Sequence, residues 1–213
     1  MLERRTISGD ADTIFQQVTS DIATNGSQDY HVVLQTDKGN IEMDIVSSPG
    51  GNAEGGYEQT NLLAELPANS TFRFAIYPED VINRIGKLFG MQDVKIGYPE
   101  FDDKVIVQTN DQGKLKSLFA DQAIRHVFES LSGYSFHIDK HKEQEGDHLH
   151  LVIQRVISTP TDLQQIFHAF MHVLGSFSKQ NIPEQVHLHN ISIPTNGTSS
   201  PVENREHGFD QVT

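Results

Sequence analysis

Four side chains in the stretch 134–156 could do chemistry together: His137, Asp139, His148 and His150. The segments 134–139 and 148–156 alternate apolar with polar residues, which predicts two strands joined through the charged turn 140–147. If Phe136 and Ile138 face the core with Leu149, Leu151 and Ile153, the four polar residues share the opposite face. Paired numbers in an antiparallel hairpin keep a constant sum, so setting Asp139 against His148 places His137 against His150. Imidazole and carboxylate donors suit zinc or another divalent metal, and a site open to water would be hydrolytic in style. The alternative is a hydrated sheet face that is simply rich in His.

The chain has 11 His, so other pairs compete with this one. His168 and His172 stand four apart, a spacing at which two imidazoles on a helix can hold one ion. On a helical wheel both point away from the apolar stripe, and Ala169 follows His168 where a zinc protease needs its Glu general base. His187 and His189 form a third pair. Asp102 could accept backbone N–H bonds in its turn or act as an acid. No Gly-x-Ser-x-Gly motif marks a serine nucleophile, and the 29 acidic residues make chance carboxylate pairs inevitable. The segment 47–56 holds four glycines and reads as a loop, but it lacks the spacing and the Lys of a phosphate cradle.

Composition narrows the classes further. There is no Cys, which removes disulfides, thiolate metal sites and cysteine nucleophiles. A formal charge of −13 repels phosphate backbones, so nucleic acid is not an expected partner. No apolar run approaches the length of a membrane span, and the opening residues read as no targeting segment. The expectation is a cytoplasmic protein with no membrane insertion.

The elements that must position these groups follow from periodicity. Ile14, Phe15, Val18 and Ile22 predict a helix at 10–23, and strands at 30–35 and 41–45 flank a turn at Gly39. Strands are expected at 57–66 and 71–77, then a helix at 78–89 closing at Gly90. Short strands at 93–96 and 104–108 precede a helical stretch that Ala120 and Asp121 divide in two. Pro160 opens a long helix in which Leu163, Ile166, Phe167, Phe170, Met171, Leu174 and Phe177 form one apolar face. An edge strand at 185–193 and a polar tail complete the reading.

Over about residues 72–131 the sequence resembles an uncharacterised bacterial protein family. The resemblance rests on the segment Gly97-x-Pro99-Glu100-Phe101-Asp102, followed by Val105-x-Val107, Asn110-Asp111 and a leucine-bearing helix. It implies a structural signature and carries over no activity, cofactor or site residue.

The fold expected is α+β. A largely antiparallel, hairpin-rich sheet of about 6–8 strands is packed on one side by amphipathic helices, including the long one at about 160–179. The domain reading is an N-terminal helix and linker at 1–27, one α+β domain at 28–193 and a polar tail at 194–213. The function expected first is a non-enzymatic binding or protein-interaction module, self-associating or with a protein partner. The alternatives are a His/Asp metal-dependent hydrolase on the 134–156 hairpin face and a carrier of a small hydrophobic molecule between sheet and helix.

Overall fold

Alternating apolar residues build the strands of this chain, and the structure, a computed structural model, describes residues 4–27, 29–48, 50, 56–68, 70–79, 91–139 and 146–178. The chain opens with β1 (Arg5–Ser8), α1 (Ala11–Asn25), β2 (Tyr30–Thr36), β3 (Gly39–Ser48) and β4 (Tyr57–Glu65). It continues through β5 (Phe74–Pro78), β6 (Gln92–Asp93), α2 (Pro99–Asp102), β7 (Val105–Thr109), α3 (Gln112–Leu118) and α4 (Gln122–Ser130). The hairpin β8 (Tyr134–Asp139) and β9 (His148–Ile153) then leads into α5 (Pro160–Ser178).

All nine strands join one sheet in the order β1-β2-β3-β4-β9-β8-β5-β7-β6. Every neighbouring pair is antiparallel except β1 and β2, so the class is α+β with a largely antiparallel sheet. One row of paired residues explains why the sheet holds together. Val32, Met43, Leu62, Leu151, Phe136, Ile76 and Val107 lie side by side on seven strands, each at most 2% exposed.

The helices cover the face that this row presents. Phe136 receives Phe128 of α4 stacked at 4.9 Å and Phe170 of α5 at 6.0 Å, with Phe74 of β5 edge-on at 5.3 Å. Aromatic pairs at such separations add about 0.5–1.5 kcal/mol each beyond their buried area. Ile14 and Val18 of α1 close the other end against Leu34, Met43 and Leu163. The cavity left there is about 10 Å³, about the size of one water probe. Beside it a cleft of about 310 Å³ is lined by Thr19, Ile22 and Ala23 of α1 and by Pro160 and Leu163 of α5.

The structure differs from the sequence reading at the N-terminus. A strand, β1, precedes α1 and runs parallel to β2 with Ile7 beside Leu34, so β1-α1-β2 is a crossover unit and the sheet has nine strands. Only Ile7 of β1 is buried, and one apolar residue in four gives no alternation to read. The second difference concerns 47–56, where Ser47 and Ser48 continue β3 and pair with Glu58 and Tyr57. The expected break between α3 and α4 is present, with the Asp121 side chain accepting from Ala123 N–H. Pro78, expected to open the helix at 78–89, instead ends β5 opposite Val105, and residues 80–90, the strand at 185–193, the tail at 194–213 and the pair His187 and His189 lie outside the described residues. Among the described residues no helix is long and apolar enough to cross a membrane.

One buried carboxylate ties the N-terminal unit together. Asp21 of α1, 7% exposed, accepts from Arg5 of β1 at 2.7 Å, Gln17 at 3.0 Å and the Tyr30 hydroxyl at 3.1 Å. Burial pushes the Asp21 carboxyl up, but hydrogen bonds from Gln17, Arg5 and Tyr30 outweigh it and hold the group below its ordinary range. Burial and the Asp21 charge raise the Tyr30 hydroxyl in turn. A depressed carboxylate stabilises the fold above its unfolded pKa of about 3.9 and loses that effect as pH falls through the native value. Asp21→Asn should therefore lower stability at pH 7 by about 2 kcal/mol. The gap between variant and wild type in urea melts should shrink below about pH 4. A gap unchanged with pH would show that Asp21 is not held as a carboxylate by these donors.

Candidate functional site

The register of the β8–β9 hairpin brings the sequence candidates together. His137 pairs with His150 and Asp139 with His148, as the constant-sum argument requires, while Phe136 and Ile138 meet Leu151 and Leu149 on the inner face. The outer row runs Glu42, Leu63, His150, His137, Ala75 and Gln108 across β3, β4, β9, β8, β5 and β7. Both imidazoles thus sit near the centre of the sheet, between Leu63 at 8% exposure and Ala75 at 0%.

Three of the four residues offer donor atoms to one point. His137, Asp139 and His150 each present a ligand atom, and these atoms lie within 4.8 Å of one another. His137 and Asp139 stand two apart on β8, which puts both on one face of the strand, with Nε2 of His137 at 3.1 Å from Oδ2 of Asp139. The imidazole rings of His137 and His150 are 5.3 Å apart between centroids. His148 is 1% exposed and does not belong to this group of donors. It is opposite Asp139 in the ladder and on the same face of β9 as His150.

The group is neither wet nor dry. The side chain of His137 is 14% exposed and that of Asp139 is 34% exposed. Nδ1 of His137 is buried with no hydrogen-bond partner among the described residues. Leaving such an atom unsatisfied costs about 1–3 kcal/mol, so packing alone would be served better by an apolar side chain at 137. Two imidazoles and a carboxylate are the donor set of zinc and its neighbours, and three protein donors leave a coordination position for water or another ligand.

The remaining candidates do other work. His168 and His172 are exposed on α5, as the helical wheel requires, and supply two donors between them. A constellation that sequence reasoning missed lies on the outer face of β2 and β3. His31 Nδ1 is 2.7 Å from Asp44, its partner in the ladder, and Arg4 bridges Asp44 and Glu42. The signal was available in the pairing of His31 with Asp44 across the first hairpin. Exposed ion pairs of this kind contribute about 0–1 kcal/mol.

Asp102 is a structural residue. Its carboxylate, 6% exposed, accepts from the backbone N–H groups of Ile96 at 2.9 Å, Gly97 at 2.8 Å and Tyr98 at 3.1 Å. Gly97 turns with φ +88°, and a Cβ there would stand 2.9 Å from the Lys116 ammonium, so only glycine suits the turn. This loop seats Phe101 against Phe119 at 5.4 Å. Asp102→Ala leaves three donors without their acceptor and should cost about 2–3 kcal/mol, or about 5–10 °C in Tm, by thermal unfolding. A Tm within 1 °C of wild type, taking ~1 °C as measurement error, would contradict the role. The chain matches no family model, and neither a curated protein nor a solved structure matches it.

Proposed function

We propose that this protein is a non-enzymatic interaction module that associates with a second copy of itself through an arm formed by β3 and β4. The observation that carries the reading is where the ladders stop. β2 and β9 both end at the row of Ile45 and Thr60, where Tyr30 and Ile153 are the last partners. β3 and β4 go on for three further pairs, Val46 with Gln59, Ser47 with Glu58 and Ser48 with Tyr57. The outer backbone edges of these six residues have no ladder partner in β2 or β9. An open strand edge is a template for another strand, and identical edges can pair about a two-fold axis.

Charge and burial support the same surface. Copies of a chain with a net charge of −13 repel one another, and the six arm residues include a single charge, Glu58. Tyr57 is the large apolar side chain left in water, at 56% exposure. Aromatic anchors of this kind concentrate binding energy at interfaces. Native mass spectrometry of the untagged protein across a concentration series should show a dimer growing with concentration. Tyr57→Asp should weaken that dimer by about tenfold or more. A monomer at every concentration, or a dimer indifferent to Tyr57→Asp, would overturn the reading.

A second reading, metal-dependent hydrolysis on the 134–156 hairpin face, is favoured by the donor group of His137, Asp139 and His150. An ion held by three protein groups can present a bound water as nucleophile near neutral pH. Zinc-loaded protein should then hydrolyse an activated phosphodiester or ester, and the double variant His137→Ala, His150→Ala should not. Equal rates for the two proteins would remove this reading.

A further inference from the structure

We propose that His137, Asp139 and His150 hold one divalent transition-metal ion on the outer face of the β8–β9 hairpin, a site independent of the arm. The donor chemistry selects the class of ion. Calcium and magnesium take oxygen ligands, whereas two imidazoles with one carboxylate suit zinc, cobalt(II) and ferrous iron.

The geometry comes close to what such an ion requires. Donors around a tetrahedral ion at bond lengths of about 2.0–2.2 Å are about 3.3 Å apart. Nε2 of His137 and Oδ2 of Asp139 are already separated by 3.1 Å. The widest separation in the group is within 4.8 Å, about 1.5 Å more than a tetrahedral ion sets between its donors. His137 and His150 are direct ladder partners in the interior of the sheet, so the scaffold that spaces them is rigid.

Nδ1 of His137 is buried, so the ring is held by its surroundings with Nε2 turned toward Asp139. The exposed pair on α5 differs in kind. His168 and His172 bring two donors from an exposed helix face, without a carboxylate between them. His148, buried opposite Asp139, is not among the three donors.

The test is cobalt(II) titration of metal-free, untagged, full-length protein, read by visible absorption, with zinc(II) added afterwards as competitor. The expected result is one cobalt per chain with the intense bands of low-coordinate geometry, bands that fall as zinc competes for the same donors. His137→Ala, His150→Ala should abolish the bands, and Asp139→Asn, which keeps the shape of the side chain, should weaken binding at least about 100-fold. His168→Ala, His172→Ala should leave stoichiometry and spectrum unchanged. Far-UV circular dichroism separates loss of donors from loss of fold, and Asp139→Asn keeps the test decisive if the double variant does not fold. No stoichiometric cobalt, binding that survives Asp139→Asn unchanged, or binding lost with His168 and His172 would each overturn the proposal. None of these outcomes bears on the arm, whose readout is the mass of the assembly and the effect of Tyr57→Asp.

Discussion

The pairing of Phe136 with Leu151 is the constraint on which both faces of this protein depend. Side chains alternate across a strand, so that one pair also fixes His137 opposite His150 on the other side. A slip of one residue would carry the imidazoles into the helical layer and the phenyl ring into water. The ring cannot leave, because Phe74, Phe128 and Phe170 surround it from β5, α4 and α5. The donor group on the outer face is therefore held in register by hydrophobic packing on the inner one.

That packing also decides where function can lie. Interiors filled to crystal-like density give small molecules no room, and the space among Ile14, Val18, Met43 and Phe167 is about 10 Å³, while a cleft of about 310 Å³ lies between α1 and α5 beside Thr19, Ile22, Pro160 and Leu163. Two groups outside the core stand out. Among the described residues His137 retains a buried nitrogen without a hydrogen-bond partner, and Tyr57 is 56% exposed. Both are costs that a chain selected for stability alone would shed.

How much was legible in the sequence depended on how local the determining contact is. The β8–β9 register was readable because both strands alternate cleanly and lie close in sequence, so the inward set named the outward one. The division of α3 from α4 was readable from Asp121, whose carboxylate caps the second helix. β1 was not, because Arg5–Ser8 becomes a strand through pairing with β2 across the whole of α1, and its own residues carry no pattern. The position of β5 beside β8, which closes the row through Ala75 and His137, is likewise a non-local choice. The donor group was legible as four candidates. Reduction to three needed the burial of His148, which no spacing in the sequence records.

β4 links the two surfaces and also keeps them apart. Its first residues, Tyr57 to Gln59, belong to the arm, and Leu63 stands beside His150 in the donor row. At about 3.3 Å per residue the four steps from Gln59 to Leu63 span about 13 Å, beyond the reach of direct contact between the two sets of side chains. A change at one surface can then reach the other only through the strand itself. That strand is paired on both sides from Thr60 onward, with β3 and with β9. Association through the arm and occupancy of the donor group should accordingly be separable properties of one sheet.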